Sequence, residues 1–247
     1  MSPQATASRP RPVTDATVQL ELRRRRTRRM LRTRVAVAAG VVGLLAAAGW
    51  LLTFSGVFAA QRVVVSGTET LSSNDVSAAA GVAIGDPLAR QDVDAMAERV
   101  AALRGVESVQ VTRDWPHAVR IAVVERRPVL AVRESGGFNL IDRFGVAYRS
   151  VGSVPGGVAV AEVNSADRPL LMQVSNVIQT LPDFLDGKVA TVQAGSADSI
   201  VLVLTNADQI IWGSAEQSDL KAKAIVPLMK HKASVYDVSA PANPALR

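Results

Sequence analysis

The hydrophobic pattern divides the chain into three stretches. Residues 1–34 are polar and arginine-rich, Val35 to Phe58 is an apolar run without an ionisable group, and from Arg62 onward apolar positions alternate or recur at helical spacing. The 24 residues of the middle stretch extend about 36 Å as a helix, more than the ~30 Å of a bilayer's hydrocarbon core. Eleven of them are Val, Leu or Phe, which together favour insertion by roughly 3–7 kcal/mol. One membrane span is predicted, Val35 to Phe58. Val57-Phe58-Ala59 has the look of a cleavage site, but the apolar run exceeds the ~7–15 residues of a signal-peptide core.

Beyond the span the pattern predicts two modules. Arg62 to Gly67 alternates as a short strand; Ser72-x-x-Asp75 opens a helix running to about Ala80; Asp92 caps a second helix with Val93, Met96, Ala97, Val100 and Leu103 on one face, stopping at Gly105. Strands around Val109–Val111 and Val119–Val123 flank a turn at Trp115-Pro116. The order strand, helix, helix, strand, strand gives a three-stranded sheet covered by two helices, assigned to residues 60–132. Residues 133–240 form a second, mixed module. It has a hairpin (Phe138–Ile141 with Gly145–Tyr148), a loop at Gly152–Gly157 and a helix entered at Pro169. Strands follow at Lys188–Ala194, Ser199–Leu204 and Gln209–Trp212, then a helix capped by Ser214 and kinked or ended at Pro227, and a last strand at Val235–Val238. Residues 241–247 are read as a tail, and the fold class is α+β.

Composition changes the picture only once charge is located. The chain has 247 residues, 48% apolar, a net charge of +6 and no cysteine, with a pI near 10.3. An apolar content of this size excludes wholesale disorder, and the absent thiols exclude disulfides, thiolate catalysis and Cys-ligated metals. The basic excess suggests nucleic acid until it is mapped. Residues 1–34 hold ten Arg against Asp15 and Glu21, which leaves eighteen basic and twenty acidic residues after them, a net of −2. The charge therefore belongs to the tail, and no nucleic-acid groove is predicted. Arg23, Arg24, Arg25, Arg26, Arg28, Arg29, Arg32 and Arg34 precede the span while Arg62 alone closely follows it, so the N-terminus is expected in the cytoplasm and the modules outside. The same arginines would touch anionic membrane lipid. Ser8-Arg9-Pro10-Arg11-Pro12 is expected to be disordered.

Few residues carry the spacing of a catalytic centre. Ser218-Asp219-Leu220-Lys221 matches S-x-x-K, the serine and lysine of penicillin-recognising enzymes, but the companion S-D-N and K-T-G elements are missing and a solvated helix face explains it. His117 and His231 stand outside any metal-binding frame, and Glu69 with Asp75 carries no glycosidase signature. No catalytic, metal or cofactor residue is assigned and no small-molecule substrate is expected. The rival reading is a membrane-tethered cell-wall enzyme using Ser218 and Lys221. An export-type module feeding a barrel is disfavoured, since no long array of alternating strands follows.

Taken in order, the basic tail, the span, Val63-x-Val65-Ser66-Gly67, Gly85-Asp86-Pro87-Leu88, Val109-x-Val-x-Arg-x-Trp115-Pro116, Glu125-Arg126-Arg127-Pro128-Val129 and Tyr236-Asp237-Val238-Ser239-Ala240-Pro241 resemble the bacterial FtsQ/DivIB cell-division family, most closely its actinobacterial members. The resemblance covers Arg23 to Arg247. It implies that the first module is a POTRA domain and the second the family's β domain. It further implies an essential-type, non-enzymatic scaffold of the divisome in the inner membrane at the septum. Such a scaffold recruits FtsB and FtsL and so bears on control of septal peptidoglycan synthesis by FtsW and FtsI. The family's FtsB site maps onto Val235, Tyr236, Asp237, Val238 and Ser239 and the helix beside them, where a partner would add an extended segment to an open sheet edge.

Overall fold

The computed structural model describes the backbone of residues 15–247 and the side chains from residue 32. Two compact units result. One comprises the described residues up to Arg62 with 83–91 and 115–118; the other comprises 63–82, 92–114 and 119–247.

In the first unit, helix α1 (Asp15–Phe54) starts well inside the stretch read as a tail. Leu, Glu and Arg are good helix formers, and extending an existing helix avoids the cost of nucleation. Ser8 to Pro12 and the side chains of Arg23, Arg24, Arg25, Arg26, Arg28 and Arg29 lie outside the described residues. The apolar part, Arg32–Phe54, is 23 residues long and holds an 18-residue window with a mean hydropathy of 2.3, none of which is buried by protein. A helix apolar on all sides and unpacked is suited to lipid rather than water. It stops four residues short of the predicted span end. Ser55 turns extended (φ −92°, ψ 141°) and its hydroxyl accepts a hydrogen bond from Val57 N at 3.1 Å, starting a separate 3-10 turn at Gly56–Phe58. A serine hydroxyl competing for a backbone N–H is what ends the helix there.

The second unit contains two sheets. Strands β1 (Arg62–Ser66), β2 (Val106–Asp114) and β3 (Ala118–Glu125) are ordered β1-β3-β2. Helices α2 (Ser73–Ala80) and α3 (Val93–Ala101) are capped by Ser72 and Asp92, whose side chains accept from Asn74 N and Ala95 N. The second helix ends at Ala101 rather than at Gly105. Arg99 donates to the Ala80 carbonyl at the end of α2, with Nη2 at 2.5 Å, so the two helices brace each other. Gly67, which closes β1, sits at φ +82° with Val123 O only 2.0 Å from where a Cβ would stand. Only glycine fits that approach.

A nine-stranded sheet follows. Its strands are β4 (Leu130–Glu134), β5 (Gly137–Ile141), β6 (Ala147–Val151), β7 (Ala159–Glu162), β8 (Val189–Ala194), β9 (Ile200–Leu204), β10 (Gln209–Gly213), β11 (Val235–Asp237) and β12 (Ala245–Leu246), ordered β12-β11-β10-β9-β8-β7-β4-β5-β6. The module boundary expected at 132/133 falls inside β4, which pairs antiparallel with β5 and parallel with β7; the sheets change over between Glu125 and Leu130. Helices α4 (Arg168–Thr180) and α5 (Ser218–Leu228) contribute Leu171, Val174, Val177 and Ile225 to one core with Leu130, Ile141, Val192, Leu202, Ile210 and Trp212. Ala131, Leu140 and Tyr148 form a smaller cluster. Ser214 does not cap α5. Gln217 precedes it in the left-handed region (φ 53°) with no side-chain cap, and Pro227 is accommodated in the last turn.

The Glu125–Arg127 stretch at the changeover is tied down at each of its three residues. The Glu125 carboxylate accepts from Glu69 N (2.7 Å), Thr70 N (3.0 Å), Leu71 N (2.8 Å) and the Thr70 hydroxyl. Arg126 pairs with Asp142, whose side chain is fully buried and also accepts from Phe144 N and Val146 N. The Arg126 Nε finds no hydrogen-bond partner among the described residues. Only the Arg127–Glu69 pair, at 3.5 Å, is exposed on both sides.

Candidate functional site

The candidate site lies at the C-terminal margin of the nine-stranded sheet. β11 joins β10 in parallel, with Gln209 opposite Val235, Ile210 opposite Tyr236 and Ile211 opposite Asp237. Gln209 N donates to Ser234 O at 2.9 Å and Val238 N to Ile211 O at 3.0 Å. Side chains alternate along this strand as the pleat requires. Tyr236 and Val238 are buried, Val235 and Asp237 half-buried, and Ser239 exposed.

Tyr236 is a core residue. The residue is 3% exposed, and its hydroxyl donates to His231 O (3.1 Å) and accepts from Ala233 N (3.2 Å). This closes the turn between α5 and β11. Asp237 Oδ1 accepts from Ser239 N at 3.0 Å and from the Ser239 hydroxyl at 2.7 Å, a local turn past the strand end. What these five residues can offer a partner is thus their backbone and the Val235 and Asp237 side chains.

That backbone is not an open edge. Residues 241–247, read as a tail, fold back and supply β12, with Tyr236 opposite Leu246 and Asp237 opposite Ala245 in antiparallel register. Val235 N donates to Arg247 O at 3.0 Å, Arg247 N to Val235 O at 2.9 Å, and the Ser234 hydroxyl to Arg247 O at 3.3 Å. The sheet's margin is therefore β12, two exposed residues long. An element of two residues between Pro244 and Arg247 is too short to show any period in the sequence.

The S-x-x-K pair lies beside this margin and is buried, contrary to the solvated helix face expected. Ser218 is 6% and Lys221 2% exposed. The Ser218 hydroxyl donates to Ala215 O (2.8 Å) and accepts from the buried Trp212 Nε1 (3.1 Å). Lys221 Nζ donates to Ser214 O at 2.8 Å. Burial pushes the Lys221 pKa down, against a raising influence from Glu216. Ser218 thus ties the entry of α5, which lacks a side-chain cap, to Trp212 of β10, and Lys221 ties it to the loop just past that strand. Among the described residues no three His, Asp or Glu gather as metal ligands would.

Residues 58–126 match the family model described as POTRA domain, FtsQ-type. The chain is 36% identical over 236 residues to the cell division protein FtsQ of Streptomyces bingchenggensis (strain BCW-1), covering 90% of this chain and 89% of that one. It is 34% identical over 217 residues to the FtsQ of Mycolicibacterium smegmatis, covering 87% and 65%. A solved structure, the major extracytoplasmic domain of the cell division protein DivIB from Geobacillus stearothermophilus, aligns with a TM-score of 0.35 and 13% identity over 48% of this chain and 97% of that one.

Proposed function

The chain belongs to the FtsQ family of bacterial cell-division proteins, and on that premise we propose that it is a membrane-anchored, non-enzymatic scaffold of the divisome. In this reading α1 crosses the inner membrane with its N-terminus in the cytoplasm, as the arginine asymmetry favours, and the two sheet modules work outside, at the septum. They recruit FtsB and FtsL and through them influence septal synthesis by FtsW and FtsI. Confinement to one membrane raises the effective concentration of scaffold and partners, so modest binding sites suffice.

The observation that carries the reading is the sheet margin. A partner segment can bind by strand addition, which uses backbone hydrogen bonds and gains selectivity from alternate side chains. At β11 the outward positions are held by Ala245, Leu246 and Arg247 of the chain's own end, all three exposed. The partner strand is proposed to take that place, pairing with Val235 and Asp237 after Ala245–Arg247 lift away. Ser218 and Lys221 support the non-enzymatic side of the reading, since their polar atoms are engaged in holding α5.

The test is capture of FtsB by the full-length chain in detergent. A chain ending at Asn243 should capture FtsB at least as well as the intact protein, because the competing strand is gone. Loss of binding on removing residues 244–247 alone would assign the partner to β12 and sink this version of the site.

A further inference from the structure

The strongest unexplained feature is the cluster of exposed apolar side chains where the chain leaves α1. Directly after the 3-10 turn at Gly56–Phe58, the segment Ala59–Arg62 is tied to two loops of the same unit by backbone hydrogen bonds. Ala60 N donates to Asp86 O (2.9 Å), Gly85 N to Ala60 O (2.8 Å) and Gln61 N to His117 O (2.8 Å), and Ala59 bridges Pro87. Inside this knot Ala60, Leu88 and Ala118 are fully buried. Outside it, Val57, Ile84 and Trp115 are 55%, 59% and 46% exposed. A hydrogen-bonded knot that buries Ala60, Leu88 and Ala118 yet leaves Ile84 and Trp115 outside has apolar surface its own core does not use.

The knot's position identifies what covers it. The apolar helix ends at Phe54, and Ala59 follows five residues later, a reach of at most ~17 Å even if extended. The 3-10 turn shortens that reach. The Arg90 guanidinium stands 5.8 Å from the centre of the Phe54 ring, and the Phe58 and Trp115 rings meet edge to face at 5.5 Å. A loop residue thus touches the last turn of the apolar helix. If that helix spans the membrane, the knot stands in the headgroup layer, ~5–7 Å deep on each side, where Trp is favoured because its ring is apolar and its N–H polar.

We propose that Val57, Ile84 and Trp115 dock into the interfacial layer of the bilayer that holds α1, with Arg90 beside the headgroups, making the knot a lipid-seated collar around the exit of the span. The proposal rests on α1 crossing the membrane. Continuity with the span is what selects lipid as the occupant, since these side chains are delivered to the interface by the chain's own connectivity. Trp115 would be a membrane anchor and Ile84 its neighbour in the acyl boundary, while the hydrogen bonds to Ala60 and Gln61 keep both at fixed depth.

The three tryptophans allow a direct test. The full-length protein is reconstituted in vesicles of phosphatidylcholine and phosphatidylglycerol, with or without acyl chains brominated near the headgroup end. Trp50→Phe leaves Trp115 and Trp212, Trp115→Phe leaves Trp50 and Trp212, and the double variant leaves Trp212, which is fully buried and serves as reference. Brominated lipid should remove about half of the emission assigned to Trp115, as for an interfacial indole, and Ile84→Glu in the Trp50→Phe chain should reduce that loss. Undiminished Trp115 emission while Trp50 is quenched would overturn the collar and leave the span standing. If Trp50 also escapes quenching, the span itself fails and the collar with it.

Discussion

Glu125 shows how much one carboxylate can organise. Burial raises its pKa, but the Thr70 hydroxyl and the backbone N–H groups of Leu71, Glu69 and Thr70 outweigh it, bringing it from the ordinary 4.5 down to about 2. A carboxyl whose folded pKa is depressed stabilises the protein above its unfolded pKa and loses that contribution as pH falls towards the folded value. Melting temperature should therefore decline between pH 4.5 and 2, and Glu125→Gln should flatten that decline. At neutral pH the same substitution should cost about 1–2 kcal/mol by denaturant melts, less than a fully buried site because solvent screens it. Asp142→Ala should cost more, about 3–5 kcal/mol, since it strands Arg126 and two backbone donors. The sequence could place Glu125-Arg126-Arg127 at a junction but not rank its members. Their pairing with Thr70 and Asp142 depends on contacts 55 and 16 residues away. Ser218 and Lys221 escape the sequence for a related reason, because an i, i+3 spacing says two side chains share a helix face and nothing about whether that face is wet. Ser218→Ala should remove the acceptor of the Trp212 indole and lower stability by about 1–3 kcal/mol in the same melts, while a β-lactam probe should leave the intact protein unlabelled.

Elements with long periods were legible and short ones were not. α2, α3, α4 and the strands β8 to β10 carry enough apolar repeats, with Ser72, Asp92 or Pro169 at their starts, to be placed within a few residues. β4 and β7, of five and four residues, are recognisable only from their partners, and β12 exists only because β11 offers it an edge. The end of α1 at Phe54 shows a composition signal overridden by local chemistry, since Val57 and Phe58 are as apolar as the span but Ser55 breaks the helix before them. Tyr236, one of the residues mapped as the partner site, also holds its strand in place through its hydroxyl. Its replacement by Ala should cost about 3–5 kcal/mol, as for other large buried side chains, and would then reduce partner capture through unfolding. Tyr236→Phe, which keeps the ring, should bind the partner normally while melting lower by about 1 kcal/mol. Comparing capture by the two variants at matched folded fractions separates a structural tyrosine from a contacting one.

At the scale of the whole molecule, one helix among the described residues is apolar enough to cross a membrane and leads into two sheet modules, and in the proposed reading the second module's margin does the recruiting. The absence of cysteine makes topology simple to check. A single Ser239→Cys in an otherwise thiol-free chain should react with a membrane-impermeant maleimide in intact cells, and a Cys placed at Ser8 should react only after lysis. The central claim, that a partner strand replaces β12 on β11, is tested most directly by hydrogen exchange on the full-length protein with and without FtsB. The account predicts that amides of 235–239 stay protected or gain protection on binding while those of 245–247 lose theirs. Unchanged exchange across 235–247, with protection appearing at another edge, would contradict it.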